Sequence, residues 1–293
     1  MSTADAFRVI GRSILQQIAA NKTAIERLDP EGVHQMRIGL RRLRALFAKL
    51  VGNQETERIK SELKWLTSEL ALARDLDVYE RSKVEPLRRS AAPMGRGMKE
   101  LEGELASRLA AAFGRAKDAV NSLRYRTLLL DTLQWLEIGY WARRARRYRV
   151  RSVERFAAHV LARRTKKAMK KAKSLRKLDS RHRHKLRIAI KKLRYATDFF
   201  EHLFAKRKAK KRLSRFSVRL KDLQDRLGAL NDIKVHQELA PQIAAGGPPH
   251  KNGRARAFAA GIVSGREQSE IEPLLGAADG DARKFRRVHP FWT

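Results

Sequence analysis

Val33-His34-Gln35-Met36-Arg37-Ile38-Gly39-Leu40-Arg41-Arg42-Leu43-Arg44 aligns without a gap with Arg183-His184-Lys185-Leu186-Arg187-Ile188-Ala189-Ile190-Lys191-Lys192-Leu193-Arg194, 150 residues further along the chain. A second pair of blocks follows in the same order. Leu63-Lys64-Trp65-Leu66 and Arg74-Asp75-Leu76-Asp77-Val78 match Leu220-Lys221-Asp222-Leu223 and Asn231-Asp232-Ile233-Lys234-Val235, now 157 residues apart. Two matched blocks in one order make the halves duplicates of a single unit. The fold is therefore to be read from one unit, twice.

That unit is helical. Apolar residues recur at three- and four-residue spacing, and no alternating run of strand type stands out. The pattern predicts helices at about Ala4–Leu28, Val33–Val51, Thr56–Glu85, Met98–Val120 and Tyr125–Arg143 in the first half. In the second it predicts Ser152–Leu178, Arg181–Phe204, Lys208–Leu239 and Arg254–Ile271, then an irregular tail ending in His289-Pro290-Phe291-Trp292-Thr293. Asp29-Pro30-Glu31-Gly32 breaks the first helix. Pro86 to Gly97 reads as a loop and Ala245 to Gly253 as a linker. The divisions expected are 1–148 for the first bundle, with an inserted hairpin near 80–123, then 149–272 for the second and 273–293 for a tail.

On a helix with about 100° per residue, Arg37, Arg41 and Arg44 fall within about 80° of His34, as one stripe. Met36, Leu40 and Leu43 fall on the opposite side. The helix is expected to dock by that apolar side and to show cations on the other. His184, Arg187, Lys191 and Arg194 repeat the stripe, backed by Leu186, Ile190 and Leu193. In the helix before it, Lys166, Lys170, Lys173 and Lys177 make another. A single histidine at such a place reads as a surface or capping residue. Recurrence at one register in both halves makes His34 and His184 site candidates.

The charge agrees. The 293 residues carry 66 Lys and Arg against 31 Asp and Glu, a formal net of +35. Between Arg143 and Lys221 the count is 32 against 4, and the run Arg143-Arg144-Ala145-Arg146-Arg147 lies there. Solvated helix faces normally intersperse acids for pairing four residues apart, and here acids are nearly absent. Like charges held together on folded helices repel, so the excess marks a polyanion-binding surface. One cation per turn, about 5.4 Å, suits a linear run of phosphates. Arginine forks grip phosphate oxygens in pairs, and lysine adds a mobile point charge. Base readout calls for aromatic platforms or amides among the cations, and Tyr195 is the one nearby aromatic. Nucleic acid, bound without sequence preference, remains the alternative partner.

The two blocks VHQMRIGLRRLRALF and HKLRIAIKKLRYATDFF resemble the signature of the CHAD domain, the conserved histidine α-helical domain. LALARDLDV and LGALNDIKV resemble that family's paired segment, and the terminal Pro290-Phe291-Trp292 is similar to its end. The resemblance covers essentially the whole chain. It implies an all-α fold of two four-helix bundles related by a pseudo-twofold axis, with a central basic channel that binds inorganic polyphosphate. Carried over residue by residue, it implies a site of His34, Arg37, Arg41 and Arg44 with His184, Arg187, Lys191 and Arg194. Lys64 and Lys221, matched in the next helices, join them, with Lys166 and Lys170 from the basic stripe. Asp75 and Asp232 are assigned to structure, pairing with a basic residue or capping a turn.

A binding protein is expected rather than an enzyme, with an enzyme that processes polyphosphate as the least favoured alternative. The sequence has no Gly-x4-Gly-Lys-Ser/Thr loop, no His-Glu-x2-His and no Gly-x-Ser-x-Gly. Its acids do not form the pairs that metal-assisted phosphoryl transfer uses. With no cysteine, thiolate metal sites, disulfides and cysteine nucleophiles are excluded. The expectation is a cytoplasmic protein associated with polyphosphate granules, with no cofactor, no metal and no membrane partner.

Overall fold

The computed structural model describes residues 2–47, 54–90, 95–139, 152–204, 206–246 and 253–293. The basic run Arg143–Arg147, the interior of the expected linker, and the expected helix ends at Val51 and Arg143 lie outside them.

The fold is all-α, and no strand occurs among the described residues. The helices are α1 (Thr3–Ala20), α2 (Lys22–Glu26), α3 (Pro30–Phe47), α4 (Gln54–Glu69), α5 (Ala71–Tyr79), α6 (Glu85–Ser90), α7 (Gly95–Asn121), α8 (Leu123–Ile138), α9 (Val153–Lys171), α10 (Ser180–Phe200), α11 (Arg207–Ala245) and α12 (Gly253–Arg286). A π-helical turn, Glu80–Val84, joins α5 to α6.

Three expectations are corrected. The loop from Pro86 to Gly97 is largely helix. Pro86 stands at the start of α6, which follows directly on the π-helical turn. The last helix does not stop near Ile271 but runs through Pro273 to Arg286. An internal proline costs roughly 3 kcal/mol. Leu275, Ala278, Ala282 and Phe285, buried at helical spacing, offset that cost. The helix expected to reach Leu178 ends at Lys171. Ser174 there takes a left-handed backbone (φ 56°), and Leu175–Lys177 forms a 3-10 turn around the buried Leu175.

The motif helices α3 and α10 begin alike. Asp29 and Asp179 stand 150 residues apart, at matching positions. The Asp29 carboxylate accepts from the Glu31 N–H (2.8 Å), and that of Asp179 from the His182 N–H (2.7 Å). Each satisfies an otherwise unpaired donor of the first turn, so each fixes where its helix starts.

The contacts group the described residues into two compact units. One takes Met1–Gly11, Ile138–Asn231 and Glu270–Thr293; the other takes Arg12–Glu137 and Asp232–Ser269. Each unit thus draws segments from both halves of the sequence.

In the first unit, α9 and α10 pack on one another and share a core with the start of α11 and the end of α12. Leu186, Ile190 and Leu193 of α10 meet Phe216, Leu220, Leu223 and Leu227 of α11 in that core. The terminal aromatics belong to it. Phe291 is fully buried, with edge-on contacts to Phe204 (5.5 Å), Phe216 (5.4 Å) and Trp292 (4.9 Å).

In the second unit, α3 buries Val33, Met36, Leu40 and Leu43. Gly39 permits its close approach to α1, because a Cβ there would lie 2.7 Å from Ile18 Cγ1. The matching position of α10 is Ala189. The added helix α7 packs against α2, α4 and α5 and buries Met98, Leu101, Leu105, Phe113 and Val120. Both motif helices are therefore pinned by their apolar sides, and the opposite sides carry the cations.

Candidate polyanion-binding site

In the second unit the stripe is half-sunk. His34, Arg37 and Arg41 are half-buried and Arg44 is exposed. Arg37 donates from Nη1 to the Thr67 carbonyl (3.4 Å) on α4, and its Nη2 lies 3.8 Å from the Asp75 carboxylate on α5. Asp75 so pairs with a basic residue, in the structural part assigned to it. The buried Arg41 Nε has no hydrogen-bond partner among the described residues. Lys64 is exposed on α4, one turn before Thr67.

In the first unit His184 is exposed, and Arg187, Lys191 and Arg194 are half-buried. The His184 Nδ1–H donates to Asn231 Oδ1 on α11 (3.1 Å), which leaves Nε2 for a ligand. Lys221 is exposed on the same helix, and Lys166 and Lys170 on α9. Arg194, Lys221, Lys166 and Lys170 make no ion pair with an acid among the described residues. Lys173 and Lys177 are also exposed but stand past the end of α9, so the continuous lysine helix stripe is cut to its first two members. Arg164, on α9 behind them, keeps a buried Nε without a hydrogen bond. Burial, and then the adjacent Arg163, hold its pKa below the usual guanidinium value.

The CHAD domain family model matches residues 10–241. The chain belongs to the CHAD domain family. The CHAD domain of the plant Ricinus communis, known from its crystal structure, is 27% identical to it with a TM-score of 0.80, covering 97% of this chain and 92% of that one. PptA from Streptomyces chartreusis is 18% identical with a TM-score of 0.66, covering 97% and 100% of the two chains, a likeness of fold alone. No curated protein matches the chain.

Within this CHAD domain the sequence-predicted residues fall into two sets. His34, Arg37, Arg41, Arg44 and Lys64 lie in one unit, and His184, Arg187, Lys191, Arg194, Lys221, Lys166 and Lys170 in the other. Two further residues act on the histidines and lie outside that set. Arg74 and Asn231 occupy matching positions of the second repeated block. Asn231 accepts from His184, whereas Arg74 acts on His34 as a cation. Burial, first, and then the Arg74 guanidinium hold the His34 pKa below the ordinary value. The signal was available: the 157-residue offset already aligned an arginine with an asparagine there.

Elsewhere in the second unit, cations are neutralised locally. Arg12 pairs with Glu137 (2.5 Å), Arg58 with Asp131 (2.6 Å) and Arg124 with Glu62 (2.5 Å). Arg124 also stacks over Trp65 at 4.1 Å. Acids are thus largely spent on ordinary surface; of the stripe arginines, Arg37 meets Asp75. No helix among the described residues is long and apolar enough to cross a membrane.

Proposed function

We propose that this CHAD domain binds inorganic polyphosphate without turning it over, along its two His-x2-Arg-x3-basic stripes, and that this binding holds it at polyphosphate granules. CHAD domains are associated with polyphosphate. The observation that carries the reading is the duplicated stripe. In each unit a helix pinned by its apolar side presents a histidine and three cations at one-turn spacing. Such a row suits repeating phosphates and offers no stacking platform for bases. The catalytic inventory supports binding rather than turnover. No group of three or more acids and histidines placed to hold a metal ion occurs among the described residues.

The test is a calorimetric titration of the full chain with polyphosphates of defined length, run beside double-stranded DNA and RNA. Long-chain polyphosphate should stay bound in excess DNA, and its affinity should fall steeply with salt as counterions are released. Replacing Arg37, Arg41, Arg187 and Arg194 together by Ala should abolish binding with an unchanged circular dichroism spectrum. Equal displacement by DNA at moderate salt, or release of orthophosphate with divalent metal, would overturn the reading.

A further inference from the structure

The α11 helix carries more than the matched Lys221. His184, near the start of α10, meets Asn231, far along α11, and the two helices are joined through residues 201–206. They therefore run antiparallel. Ten residues forward along α10 from His184 lies Arg194. Ten residues back along α11 from Asn231 lies Lys221. The end of the stripe is level with the matched lysine, both helices rising about 1.5 Å per residue.

The flank of α11 that reaches His184 can be followed at three- and four-residue steps. From Asn231 it passes Gly228 and Gln224 to Lys221. A Cβ added at Gly228 would meet nothing within 4 Å, so the space beside this row is open. Beyond Lys221 the row does not stop. It continues through Ser217, Ser214 and Lys210 to Lys206, just before the helix begins. Ser217 is half-buried, and Ser214, Lys210 and Lys206 are exposed. The buried face of Phe216, Leu220, Leu223 and Leu227 lies roughly a quarter turn away. Every side chain on the row is a cation, a hydroxyl or an amide, and each can donate to phosphate oxygen. The first turn of α11 contains no acid. Its exposed N–H groups add to the positive potential there.

The other unit lacks this extension. In the same register along α4, Ser217 corresponds to Lys60 and Ser214 to Glu57. Those two form an ion pair at 2.8 Å, so an acid closes the row. The extension is particular to one unit and is not part of the duplicated motif.

We infer that Lys206, Lys210, Ser214 and Ser217 form a second binding segment, continuing the first unit's stripe by roughly 22 Å past Arg194 for the linear phosphate chain. The inference rests on the polyphosphate reading above. It gives this protein a preference for chains long enough to leave the stripe and lie along α11.

The experiment compares tripolyphosphate with long-chain polyphosphate on the full chain by calorimetry, at one ionic strength. The variants are K206A/K210A/S214A and a charge-matched control, K99A/K117A, whose lysines are exposed on α7. The row variant should cut the ratio of long-chain to tripolyphosphate affinity about tenfold, and the control should leave it unchanged. The substituted side chains bury nothing, and thermal melts will verify the fold. An unchanged ratio, or an equal fall in the control, overturns the extension while the stripe reading stands. Failure of the wild type to hold long-chain polyphosphate against DNA overturns the stripe reading and the extension with it.

Discussion

The Nδ1 atom of His184 lies 3.1 Å from Oδ1 of Asn231, while the matching histidine, His34, feels the positive charge of Arg74, the residue that matches Asn231 in the sequence. One repeated sequence motif thus stands in two electrostatic settings. Beside Asn231 the histidine is held by an acceptor and exposed to solvent. Beside Arg74 it is half-buried among cations, with Arg41 and Arg37 adding to the effect. The two stripes share their register and differ in the group that acts on the histidine.

For His34 the consequence is a pH dependence of fixed sign. Burial and Arg74 hold its folded-state pKa below the ordinary value of about 6.5. As the pH falls, the unfolded chain takes up that proton before the folded one does. The stability associated with neutral His34 is therefore present above the ordinary value and is lost as pH drops through the folded value. A histidine titration by NMR should give His34 a midpoint below the ordinary value, rising when polyphosphate is added. Between pH 7 and 5 the wild type should lose more thermal stability than His34→Gln.

Asn231 is expected to act as a positioning residue for His184. Asn231→Leu keeps the branched shape and removes the acceptor. Polyphosphate affinity should fall about three- to tenfold, the value of one ordinary hydrogen bond. Asn231→Asp keeps an acceptor but sets a carboxylate on the row, and should weaken binding further. Titration calorimetry of both variants, with melting curves beside them, checks the order.

Phe291, two residues before Thr293, packs like a core residue. Phe291→Ala should cost about 3–5 kcal/mol of stability, read as a fall in the denaturant midpoint. A tail residue would cost nothing measurable. Binding at temperatures where the variant is still folded should be unaltered.

Much of the fold and of the candidate site was legible in the residues. The three- and four-residue spacing of Met36, Leu40 and Leu43, and of Leu186, Ile190 and Leu193, was enough to predict two helices with their cations turned outward. Those positions are buried as expected. Local patterning states what a segment must hide, and hence what it must show. The sharp points of charge were legible too, because acids are scarce wherever the stripes run.

The segment boundaries were less legible, because they depend on distant partners. Pro273 looked like a stop, and α12 passes through it because Phe285 and Ala282 have a core to enter. Lys173 and Lys177 continued a helical stripe on paper, yet Ser174 turns the chain so that Leu175 can be buried. By itself, then, the sequence determined the helical class, the repeated motif with its outward cations and the strongly positive net charge, since each is set by periodicity or composition. Only the tertiary structure decided that Asn231 is hydrogen-bonded to His184, that Asp75 turns to Arg37, that Phe291 is core, and which segments each compact unit takes. Those choices follow from contacts between residues far apart in the chain, whose favourable burial and pairing no local pattern encodes.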